Sequence, residues 1–82
     1  MNILITGARA PISYEVVQQQ VALGRKVYLS DSTKKVSIKK SKFIEQFIIT
    51  TSPRFSTELY IQDINDIIDT YHIDLVIPLN EE

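Results

Sequence analysis

Asn2-Ile3-Leu4-Ile5-Thr6-Gly7-Ala8-Arg9-Ala10-Pro11 is the stretch whose reading decides the fold of this 82-residue chain. Residues 2–6 form a nearly unbroken apolar run without the alternation of a half-exposed strand. That pattern belongs to a strand covered on both faces, as in the middle of a parallel sheet. Gly7 follows, where the chain can turn tightly or bring its backbone close to a ligand. Pro11 suits a first helical turn, where a missing N–H costs nothing. Strand, short glycine-bearing turn and helix make the first half of a βαβ unit. Such units hold ligands beyond the carboxyl ends of their strands.

Outward from this stretch, residues 12–24 read as a helix. Ile12, Val16 and Leu23 fall on one stripe with Val17 and Gln20 beside it, and Val21 widens the apolar face further. Gln18 and Gln19 point to solvent on this reading. Gly24 is a C-cap signal, with Arg25 and Lys26 supplying positive charge just past the helix end. Residues 26–30 read as a second strand closed by Asp31. Residues 32–41 are an ambiguous connection with Val36 and Ile38 turned inward. A third strand lies within 43–50, centred on 46–49. After the turn at Thr51-Ser52-Pro53-Arg54, Ser56 fits an N-cap with Glu58 in the first turn. In the helix that follows, 57–71, Tyr60, Ile64, Ile67, Ile68 and Tyr71 recur at helical spacing, the strongest periodic signal in the chain. Phe55 is placed to staple onto Leu59 or Tyr60. Leu75-Val76-Ile77 is a fourth strand, which Pro78 ends.

The order β-α-β-β-α-β predicts an α/β fold. It is a small Rossmann-like parallel sheet of four strands in order 3-2-1-4, with helices on both faces. Such a sheet needs cover beyond its fourth strand, so residues 1–82 read as one domain cut from a longer chain.

At this length about 60–65% of the unfolded surface is buried on folding, which leaves a thin stability margin. Cysteine is absent, and with it disulfide and thiolate chemistry. One histidine and no cysteine make an intrinsic zinc site a poor expectation. No leader-like start and no long apolar run are present, so the expectation is a cytoplasmic protein without a membrane partner. Charge is split along the chain. Eight basic residues face two acidic ones through Lys42, and one basic residue faces eight acidic ones from Phe43 onward. Such a split marks either a binding face or pairing between neighbouring elements. The lysines of 34–42 lack interleaved aromatics, so a nucleic-acid partner is not expected. Asp63, Asp66 and Asp69 read as a solvated stripe, and His72 as structural or exposed.

The candidate site is the loop Gly7, Ala8, Arg9 with Pro11 behind it. Free N–H groups at the start of the first helix favour a phosphate or carboxylate there, and Arg9 can grip an oxyanion with two bonds. A tight turn without a ligand and a solvated Arg9 are the competing readings. Only one of the three glycines of a dinucleotide fingerprint is present. Asp31 stands 24 residues after Gly7, near the spacing of about 20 at which an acid meets a ribose, but it can equally cap the next turn. Glu81 and Glu82 follow the fourth strand at its carboxyl end, on the crevice side.

Ile5-Thr6-Gly7-Ala8-Arg9-Ala10-Pro11, Asp31, Ser41-Lys42-Phe43, Ser52-Pro53-Arg54-Phe55 and Ile77-Pro78-Leu79-Asn80-Glu81-Glu82 together resemble the amino-terminal domain of ATP-grasp ligases. The likeness is nearest to the carbamoyl-phosphate-synthase-like and carboxylate–amine ligase branch, and it covers the whole chain. The resemblance implies a pre-ATP-grasp domain that packs against later ATP-grasp domains of the same chain. The complete enzymes use ATP and magnesium to form an acyl-phosphate that an amine attacks. Their ATP- and metal-binding residues lie in the later domains. It further implies that the loop of Gly7, Ala8, Arg9 and Pro11 and the acids Glu81 and Glu82 face the interdomain cleft and a small acid substrate, and that 1–82 alone holds no cofactor and no catalytic residue. The alternatives are a free-standing Rossmann-like binding or dimerisation module, as a homodimer, and a piece of a nicotinamide-dependent reductase.

Overall fold

A computed structural model of the chain describes residues 1–8, 10–33 and 42–79. Arg9, the lysine-rich stretch 34–41, and residues 80–82 with Glu81 and Glu82 lie outside the described residues. The elements run β1 (Asn2–Thr6), α1 (Ser13–Ala22), β2 (Lys26–Asp31), β3 (Gln46–Ile49), α2 (Thr57–Tyr71) and β4 (Leu75–Pro78). The four strands form one sheet in order β3-β2-β1-β4, with every neighbouring pair parallel. The small Rossmann-like architecture expected from the alternation of elements is therefore the one observed.

Continuous apolar character puts β1 at the centre. Ile3, Leu4 and Ile5 have no exposed surface, as a strand covered on both faces requires. Successive side chains of a strand alternate between faces. Ile3, Ile5, Val27 and Leu29 therefore share one face, where they pack with Ala8 and with Val17 of α1. Leu4 and Tyr28 are on the other face, under α2, where the Tyr28 and Tyr71 rings lie 4.9 Å apart at 38°. Burying a side chain of this kind contributes about 1.5–3 kcal/mol, so the β1–β2 pair with Val17 carries most of the core.

Helix α1 departs from its expected stripe. It starts at Ser13, two residues after Pro11, and Ile12 and Leu23 are 53% and 65% exposed. The face laid on the sheet is Ser13 and Val17, with Val16 and Val21 half-buried beside it. Ser13 wins the inward position because its hydroxyl donates to the Ala8 carbonyl at 2.7 Å, in a buried setting. Ile12 is the N-cap, ahead of the first helical residue, and is left in solvent. The C-terminus behaves as expected. Gly24 takes a positive φ of 79° and its N–H donates to Val21 O at 2.9 Å, while Arg25 N–H donates to Gln20 O at 3.2 Å. These two bonds close a Schellman motif on otherwise orphaned carbonyls.

Helix α2 keeps its limits and its cap, with Leu59 N–H donating to Ser56 Oγ at 3.2 Å. Its stripe is correctly oriented but shallow, since Ile67 alone is buried and Tyr60, Ile64, Ile68 and Tyr71 are half-buried. The staple fails, because Phe55 is 82% exposed. Asp63 is also not simply solvated. Its Oδ2 accepts from Thr51 N–H at 2.7 Å, tying the helix to the chain leaving β3. At the opposite end Asn2 anchors α2, its Nδ2 donating to Tyr71 O at 2.8 Å and its backbone N–H to Asp74 Oδ2 at 2.7 Å. Strand β2 extends one residue beyond expectation to include Asp31, and β4 includes Pro78.

Candidate functional site

Chain direction places the site. From β1 the chain moves through β2 to β3 on one side, then crosses back to β4 on the other. The switch point is thus the carboxyl ends of β1 and β4, where open α/β sheets hold ligands. Gly7 and Ala8 leave β1 there, and Leu79 leaves β4.

The loop is built on three backbone ties. Gly7 carries φ +73°, and its carbonyl accepts from Ala10 N–H at 3.0 Å. Ala8 N–H donates to Ser30 O at 3.2 Å, fixing the loop to the end of β2. Leu79 N–H donates to Thr6 O at 3.0 Å, extending the β1–β4 ladder past Pro78. A Cβ at Gly7 would stand 2.3 Å from Leu79 O, closer than any real contact allows. The close approach that glycine permits here is made by the chain's own Leu79.

Helix α1 opens over this corner, and among the described residues no side chain caps its first N–H groups, because its N-cap is Ile12, which has no side-chain acceptor; Ser13 N–H donates to Ala10 O at 3.0 Å. Pro11 and Ile12 are exposed at this end. An uncapped helix start is electrostatically favourable to an anion. Glu15, in the same first turn, partly meets that preference from within the chain.

Asp31 reaches the same end of the sheet, one residue beyond the Thr6–Ser30 pair. It is buried, and its Oδ1 accepts from Ser32 N–H at 2.6 Å and lies 3.5 Å from Ser32 Oγ. The bond from Ser32 N–H caps the following turn, one of the two roles open to Asp31 from the sequence. Gly7, Ala8 and Asp31 are thus gathered at one end of the sheet, and Pro11 stands at the entrance to α1. Arg9, Glu81 and Glu82 lie outside the described residues.

Sequence reasoning passed over Ser13, Ser30, Thr50 and Leu79, all at this end. Thr6, Ser30 and Thr50 are buried hydroxyl-bearing residues. Ser30 Oγ has no hydrogen-bond partner among the described residues. Leu79 carries no local signal, since its role depends on the β1–β4 pairing. Among the described residues, no three His, Asp or Glu side chains gather as a metal-ligand set, and no helix is long and apolar enough to cross a membrane.

No protein-family model matches the chain, and no curated protein matches it.

Proposed function

We propose that the chain is the amino-terminal, Rossmann-like domain of an ATP-grasp ligase of the carboxylate–amine type, contributing one wall of a cleft for an acid substrate or nucleotide without supplying catalytic groups. The observation that carries this reading is the corner at the β1–β4 switch point. A glycine turn is pinned by Leu79, and the uncapped start of α1 opens beside it. Backbone N–H groups in that setting suit a carboxylate or a phosphate. The set of motifs quoted above supports the family assignment. ATP with magnesium would supply phosphoryl activation of the acid. Among the described residues, Gly7 and Ala8 with the first turn of α1 suit the anionic end of such a ligand. In this proposal later domains of the same chain hold the ATP and the metal, and the compartment is the cytoplasm.

Reading the coding frame past codon 82 tests the assignment. An ATP-grasp pattern in frame is the expected result, and a stop codon directly after Glu82 would contradict it. In the complete enzyme, Arg9→Ala should weaken use of the acid or nucleotide about tenfold or more, the loss of a charge-assisted contact worth roughly 1.5–3 kcal/mol. Arg9→Lys should restore only part of the activity, because a point charge lacks the two-pronged geometry.

A further inference from the structure

We draw no further inference here: the strongest candidate, the uncapped start of α1 together with the buried Ser30 hydroxyl that has no partner among the described residues, carries nothing beyond the site already described, because strand alternation sets Ser30 with Thr6 and Tyr28 on the α2 face of the sheet, away from the start of α1, and a helix start without a second group directed at it is not a site.

Discussion

Replacing Gly7 by alanine probes the corner on which the functional reading rests. Two costs add at this position. An L-residue held at φ +73° loses about 1–2 kcal/mol relative to glycine. The new Cβ would also stand 2.3 Å from Leu79 O and 3.2 Å from its carbonyl carbon. These are backbone atoms fixed by the bond from Leu79 N–H to Thr6 O, so no side chain can swing aside. Forcing the strand end outward adds roughly 1–3 kcal/mol, the usual cost of overpacking. The sum, about 2–5 kcal/mol, is a large share of the roughly 4–12 kcal/mol expected for a domain of this length. Gly24→Ala is the control. Gly24 has nearly the same φ, +79°, but nothing within 4 Å of its would-be Cβ, so only the conformational term of about 1–2 kcal/mol applies. Both substitutions stiffen the unfolded chain alike, and that contribution cancels in the comparison. Urea unfolding followed by circular dichroism should therefore place the Gly7→Ala midpoint well below that of Gly24→Ala. Thermal scans should separate the two by several degrees, at about 4–8 °C per kcal/mol for a domain this small. Equal midpoints would show that Leu79 does not lie over Gly7, and the corner as described would be wrong.

Further substitutions test the packing around that corner. Val17→Ala should cost about 1.5–3 kcal/mol, whereas Ile12→Ala, at a half-exposed position, should stay within about 0.5 kcal/mol; denaturant midpoints distinguish them. Ile67→Ala should cost about 2–5 kcal/mol, and Ile68→Ala distinctly less because Ile68 is only half-buried. Asp63→Ala should remove about 1–2 kcal/mol and speed hydrogen exchange at the Thr51 amide, which loses its acceptor. Ser30→Ala should leave stability unchanged or raise it by up to about 1 kcal/mol, since the hydroxyl is buried with no partner among the described residues; a clear loss in thermal unfolding would reveal a bond to that oxygen.

The sheet could be read in the sequence because its strands announce themselves locally. Ile3-Leu4-Ile5 has the unbroken apolarity of a central parallel strand, and the alternation of elements leaves few topologies for four strands and two helices. The limits of α2 were equally plain from Ser56 and the spacing of its isoleucines. What failed was decided by contacts distant in sequence or by hydrogen bonds that outweigh hydrophobicity. Ile12 looked like core, yet it is the N-cap and the buried face of the helix is that of Ser13, held by its bond to Ala8 O, and Val17. Phe55 had the right position for a staple, but the turn preceding α2 leaves it in solvent. Asp63 looked identical to Asp66 and Asp69 in a regular acidic series, and only the path of the chain after β3 singles it out. At the site, Gly7 was visible as a glycine the fold needs. That Leu79 rather than a ligand occupies the space beside it could not be read from residues 7–11, because the contact depends on β1–β4 register. Asp31 showed both of its roles in the sequence, and the bond from the neighbouring Ser32 amide performs the capping one.

Amide chemical shifts recorded while the purified chain is titrated with magnesium-ATP, and separately with a simple dicarboxylate, test the central claim most directly. The account predicts that shifts gather at Gly7, Ala8, Ile12 to Tyr14 and Leu79, around the β1–β4 switch point and the open start of α1. Binding should be weak, because a single wall of the cleft is present. Shifts concentrated at the other end of the sheet, around Asn2, Lys26 and Asp74, or no shifts with either anion, would contradict it.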